Sequence, residues 1–457
     1  MWGTRRRSSV IGAGLSSLVL LSGCAGDGPS LPKISDLNPF AEKEVPLPGK
    51  RIAVMQAQGP ETGELADASA PIVLPAPRTN DAWGQPGGEP NNAPGNLAFG
   101  GAANVVWSAD AGTGSGKLGR ITASPVVYNG HVFTLDADGG VSAFANTGGS
   151  AVWRVSLRPQ REKSGSWYSL GGDSGGGGYG GGLAIDNGRL YAATGYGNVV
   201  ALAPANGKAI WEKQLEAPVR SSPTAIGERV FIVTLDGRFF CLAGADGGEL
   251  WSVRGLPQQA SLINNASPAV EGDIVVVPYP SGDLVAMKVA DGASVWSENL
   301  ARTRTTSQLT SMSDTARPTI DNGTVFAIGH AGRMIATQAA SGERLWSINV
   351  PGMQGPAVAG GSVFVVDTQG QLMALARGDG KTQWTTKLPG NGAWAGPTLA
   401  GGTLWLASSE GNLVGVDATT GKVVGQKELG SAVCVAPVVA QGRMYVLTDS
   451  AKLIALN

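Results

Sequence analysis

The chain is poor in the residues that most often carry chemistry. It has only two His and three Cys among 457 residues. That stock is too small for a His/Cys metal site of the usual four-ligand kind. No pair of carboxylates recurs at a fixed spacing. Charged residues make up only 15% and the net charge is −1. The chain as a whole therefore has no basic excess to hold nucleic acid. The body of the sequence also lacks stretches with the length and 3.6-residue period of an amphipathic helix. What is abundant is Gly, at 69 residues, set among short apolar runs. That composition suits many short strands joined by many turns.

The segment Gly355–Trp384 shows the pattern most clearly. Four short apolar runs are separated by Gly360–Gly361, Gly370 and Gly380, which reads as a four-stranded antiparallel meander. One such unit cannot bury both its faces, so it needs neighbours. They are present. A Gly four residues before a Trp ends successive units at Trp153, Trp211, Trp251, Trp296, Trp346 and Trp384. Gly421 starts a further copy, in which Gly425 replaces the Trp, and Trp107 stands alone upstream without its Gly. The Trp intervals range from 38 residues (346 to 384) to 58 (153 to 211). A second signature, Pro followed after four or five residues by Gly and an apolar pair, opens seven units, at Pro125, Pro223, Pro268, Pro318, Pro356, Pro397 and Pro437. The remaining unit has GGLAIDNGRLY and no Pro.

Counting these units predicts the fold. Eight copies of the opening hairpin are present, and the eighth runs out at Lys452–Asn457 after its third strand. The orphan strand at Trp107 supplies the missing fourth. We therefore expect an all-β protein: an eight-bladed β-propeller over 97–457, closed by the Trp107 strand. In that arrangement Trp107, Trp153, Trp211, Trp251, Trp296, Trp346 and Trp384 dock blade on blade, each indole N–H finding a backbone acceptor.

Upstream, residues 1–23 join a basic start (Arg5, Arg6, Arg7) to an apolar stretch from Val10 to Leu21. This is a secretory signal, too short for a comfortable transmembrane helix. Leu21-Ser22-Gly23-Cys24 resembles the bacterial lipobox, which implies lipidation of Cys24. By resemblance to enterobacterial lipoproteins, the absence of Asp beside that Cys points to the outer membrane. Residues 24–96 read as a lipid anchor and a Pro/Gly-rich linker, with Arg51–Met55 and Pro71–Leu74 as candidate extra strands.

Several motifs have a chemical look. Gly114–Gly119 matches GxGxxG, but the residues after it lead into a strand rather than a helix that would hold phosphate. Gly171–Gly182 is a Gly-rich loop or strand entry without a cation. His131 and His330 have no triad or metal partners in sequence, and Cys241 and Cys434 read as free buried thiols in different blades. Two connections between blades are long: Gly255–Ser267 and Ala301–Arg317. Both run from an outer strand to the next inner strand, so they emerge on one rim, where a rigid scaffold presents binding loops.

The Gly-x-x-x-Trp repeats resemble those of quinoprotein dehydrogenases and of the BamB family of outer-membrane assembly lipoproteins. The lipobox and the single propeller favour the latter. That resemblance implies a non-catalytic, lipid-anchored scaffold on the periplasmic face of the outer membrane, without cofactor. It implies binding to the POTRA domains of BamA, as a monomeric subunit of a hetero-complex that inserts β-barrel proteins. The family's partner-binding loop maps onto Ala260–Asn265: Leu262 keeps its apolar residue, while Ala260 and Ile263 stand where Leu and Arg are typical, and Asn264 and Asn265 complete the loop. Asp314 and Arg317 fall in the place of its second loop. The alternatives are a pyrroloquinoline-quinone dehydrogenase and a periplasmic scaffold for polysaccharide machinery.

Overall fold

The computed structural model describes residues 71–117, 119–159, 180–219, 221–255, 266–300 and 315–457. These lie in the second of two units, Met1–Ala57 and Gln58–Asn457. Every regular element among the described residues is a strand, and the strands form eight four-stranded antiparallel sheets. Each sheet is one blade. Blade 6 runs Ala357–Ala359, Ser362–Val366, Gln371–Ala376 and Thr382–Lys387, in chain order from the inner strand to the outer. Seven blades follow this plan. In blade 8 the strands Val438–Ala440, Arg443–Leu447 and Lys452–Leu456 are completed by Val105–Asp110, which pairs antiparallel with the last of them. The ring is thus closed by residues from both ends of the propeller sequence, as the strand count predicts.

Burial follows from the stacking of blades. The middle strands are covered on both faces, and Ser362–Val366 is buried at every residue. Outer strands have one wet face, so in Ala209–Gln214 exposed and half-buried residues alternate. One irregularity recurs at the same place. In blade 6, Ala374 pairs with Trp384 but Leu375 pairs with Thr382, so Gln383 is bulged out. The equivalent register shift occurs in blades 1 to 5 and in blade 7. In blades 1 to 5 the bulge exposes the residue before the Trp, which accounts for Val152, Ile210, Leu250, Val295 and Leu345 on the surface, while Gln383 in blade 6 is half-buried.

Each indole reaches across to the following blade. Trp107 Nε1 donates to Asn146 O at 2.9 Å, Trp153 to Pro204 O at 2.8 Å, Trp211 to Gly244 O at 2.9 Å and Trp251 to Val289 O at 3.2 Å. Trp296 donates to Ala339 O, Trp346 to Arg377 O and Trp384 to Ala418 O. Under each ring sits the Gly of the next repeat. Gly380, with φ of 73°, is one: a Cβ there would press on Trp346 at 2.8 Å. The repeating Gly therefore serves two ends, a left-handed turn and a seat for the preceding blade's Trp.

Candidate functional site

The inner strand of a blade ends the sheet, so its outward-turned N–H and C=O groups need partners. The segment before the ring supplies them. Between Arg78 and Phe99 the chain crosses the channel mouth and bonds to one blade after another. Asn80 Nδ2 donates to Val439 O of blade 8 at 2.8 Å. Trp83 and Val127 of blade 1 exchange backbone bonds of 2.8 and 2.9 Å. Ile185 N of blade 2 donates to Gly84 O at 2.7 Å. The amide of Gln85 donates to Ile185 O and Ala225 O, and accepts from Ala225 N of blade 3. Val270 N of blade 4 donates to Pro90 O and Ile320 N of blade 5 to Asn91 O, each at 2.8 Å. Leu97 and its neighbours bond to Leu399 and Gly401 of blade 7. Ile72 and Leu74 pack against the apolar core shared by blades 6 and 7.

We call this segment the strap. Its direction round the ring is the order of the blades, and Trp83, Leu97 and Phe99 are buried within it. From sequence, residues 24–96 read as anchor and linker, with Pro71–Leu74 as a candidate extra strand; from Arg78 on, this stretch bonds to the blades. Residues 71–96 lack any apolar period because their order comes from bonds to the blades, not from a face of their own.

The strap lies toward the turns between first and second strands. The opposite mouth, among the blade-to-blade connections, holds a cavity of about 450 Å³. Its walls come from blades 5 to 8 and from the connection into blade 1, and include Ile121, Met353, Val366, Trp394, Val433 and Val435. Arg317 reaches into the channel between cavity and strap, where Nη1 donates to Pro86 O at 2.6 Å. Burial alone pulls its guanidinium down to about 10. Its Nε and Nδ1 of His330 are sealed from solvent and have no partner among the described residues. Two carboxylates also line the cavity. Asp367 is turned into its own hairpin, where Oδ1 accepts from the N–H groups of Gln369 and Gln371. Asp449 accepts from Cys434 Sγ at 3.4 Å; burial raises its carboxyl, with Cys434 and the charge of Arg120 opposing.

The sequence-predicted residues divide as follows. Cys24 and the loop residues Ala260, Leu262, Ile263, Asn264, Asn265 and Asp314 lie outside the described residues. The residues that bracket the loops are described: Gly255 follows the outer strand of blade 3, Glu249–Arg254, and Ala266 leads into blade 4. Arg317, grouped with the loop from sequence, is turned inward to the strap. His131 makes a local contact with Asn129 O. Cys241 is buried, whereas Cys434 is exposed on the connection into blade 8, which corrects the expectation of two buried thiols. Gly114–Gly119 belongs to the connection from Val105–Asp110 to blade 1, with no helix following. Sequence reasoning missed Asn80, Gln85 and Asn92. Their only signal is amide side chains spaced through a Pro/Gly-rich stretch.

The repeat geometry matches a known family. The family model described as outer membrane protein assembly factor BamB matches residues 137–386 and 378–457. The chain belongs to the BamB family. A BamB of Burkholderia pseudomallei is 28% identical over 192 residues, 42% of this chain and 44% of that relative. The chain therefore spans less than half the length of that relative. The crystal structure of BamB from Moraxella catarrhalis superposes with a TM-score of 0.67 at 16% identity, covering 78% of this chain and 100% of the other. A quinohemoprotein alcohol dehydrogenase from Pseudomonas putida gives 0.64 at 12% identity, covering 84% and 83%. At such identities both structures speak for the fold alone. They share with this chain the propeller to which the BamB family belongs.

Proposed function

We propose that this protein is a non-catalytic scaffold of the outer-membrane β-barrel assembly machinery. It is anchored by a lipid on Cys24 at the periplasmic face of the outer membrane. It binds the POTRA domains of BamA as a monomeric subunit of the hetero-complex. The observation that carries this reading is the family match across 137–457, together with relatives whose name is outer membrane protein assembly factor. The fold supports it. The strap occupies one mouth of the channel, and the two long connections start and end on the other face. A partner reading several blades at once meets that face first. The contact residues proposed are Ala260, Leu262, Ile263, Asn264, Asn265 and Asp314, with Arg317 holding the base of the second loop from within. The likeness to a dehydrogenase concerns the propeller only and brings no chemistry with it.

The test is photo-crosslinking in native membranes, with the photoreactive residue at Leu262 or Ile263. Capture of BamA is the expected result. If both positions capture other proteins and never BamA, the proposal fails.

A further inference from the structure

The cavity beside Arg317 is not used by the proposed scaffold role, which places contacts on the loops. Its chemistry is uneven. Most of the wall is apolar: Ile121, Val366, Trp394, Val433 and Val435 surround it. Set into that wall are two guanidiniums: Arg120, whose charge acts on Asp449, and Arg317, which has no counter-charge among the described residues. No ion pair joins Arg317 to a carboxylate among the described residues, and its single bond, to Pro86 O, uses only Nη1. The two carboxylates that share the cavity are committed elsewhere, Asp367 to the amides of its own turn and Asp449 to the Cys434 thiol. A desolvated Arg without a carboxylate is costly unless an anion completes it. Nε of Arg317 is sealed from the cavity, so the guanidinium meets a ligand through its terminal nitrogens. A buried guanidinium at the base of an apolar chamber suits a ligand with one flat anionic end and an apolar body.

We propose that this cavity is a binding site for a small organic carboxylate. Its carboxylate pairs with the guanidinium of Arg317 through Nη2, and its apolar body lies on Val366, Trp394 and Val435. A cation is disfavoured by the guanidinium at the base. An inorganic anion leaves the apolar wall unused. The strap closes the far side at Pro86, so the ligand enters and leaves by the mouth at which Cys434 is exposed.

The probe is benzoate, titrated into the full chain by calorimetry, with benzamide and inorganic phosphate as comparisons. Benzoate binds with one-to-one stoichiometry, at least tenfold more tightly than either comparison. Arg317→Met loses at least tenfold in benzoate affinity, and Arg317→Lys keeps part of it, since a point charge replaces a fork. Absence of benzoate binding overturns the proposal. So does binding of benzamide or phosphate at equal strength, or unchanged binding by Arg317→Met. If Arg317→Met does not fold, the wild-type chain alkylated at Cys434 with a bulky maleimide takes its place. Blocked benzoate binding supports the site, and undiminished binding overturns it. Crosslinking of BamA from Leu262 is a separate readout, so failure of one reading is distinguishable from failure of the other.

Discussion

The carbonyl oxygen of Pro86 accepts a hydrogen bond from the guanidinium of Arg317, 231 residues further along the chain, at 2.6 Å. One bond thus joins the strap to the entry of blade 5. It also holds a buried guanidinium between the cavity and the strap. The strap is integral to the ring, and its anchors have measurable weight.

Gln85 is the first of these anchors. Its amide serves Ile185 O, Ala225 O and Ala225 N, all in the buried channel. Gln85→Ala leaves these groups unpaired and destabilises the fold by about 2 kcal/mol, within the usual range for an orphaned buried polar group. Denaturant unfolding measures the loss. Amide exchange at Ala225 should rise more than at Phe364, which lies in a blade that Gln85 does not touch.

The closing Trp is the second. Trp107→Ala removes the indole, its bond to Asn146 O and the cover over Gly149. A loss of about 3 kcal/mol is expected for so large a truncation. It should equal or exceed that of Trp211→Ala, because only Trp107 sits on the strand that closes the ring. A smaller loss at Trp107 than at Trp211 would contradict the closure argument.

Gly148 and Gly149 form a matched pair. Gly149 has φ of 72° and a Cβ there would overlap the indole of Trp107, whereas a Cβ at Gly148 meets nothing within 4 Å. Gly149→Ala should cost about 2 kcal/mol or more, and Gly148→Ala almost nothing. Thermal melts of the two variants settle the comparison.

The thiols differ in reactivity from a free cysteine. Although Cys434 is exposed at the cavity mouth, partial desolvation by the cavity wall pushes it up to about 11, with the carboxylate of Asp449 adding to the effect, whereas full burial pushes Cys241 up to about 12. The thiolate is the reactive form, and a raised pKa makes it scarcer at a given pH. At pH 8, alkylation of Cys434 should be about a hundredfold slower than of a thiol with a pKa near 9. The gap closes as the pH rises toward 11. Cys241 should react only after unfolding. Mass spectrometry after timed iodoacetamide exposure reads both sites.

Much of the ring was legible before any coordinates. Gly380 and Trp384 recur because a left-handed turn and a docking indole are needed in each blade, and such needs leave a mark at fixed spacing. The Trp107 strand was legible by subtraction, from an eighth unit one strand short. The strap was not. Asn80, Gln85, Asn92 (which donates to Pro318 O) and Asn96 (which accepts from Gly402 N) act on partners 100 to 359 residues away, and nothing in their neighbourhood has the period of a strand. Composition alone made the stretch resemble a tether. Arg317 illustrates a related gap. Its position at the end of a long connection was visible, but whether its side chain faces solvent or the channel depends on Pro86, which no local pattern reveals. Cys434 was expected to be buried like Cys241, yet it is exposed while its neighbours Val433 and Val435 are buried.

The strap also has a bearing on assembly in time. Asn80 is synthesised early, but its partner Val439 lies 359 residues later. Blades 1 to 7 can each form from local contacts as they emerge, whereas the strap has nowhere to finish until the eighth is made. Contacts of such sequence separation are slow to form. A chain truncated before Val438 would lack both the last inner strand and the partner of Trp107's own strand. The earliest part of the propeller sequence thus waits on the latest, and the ring completes itself only once Lys452–Leu456 has been made.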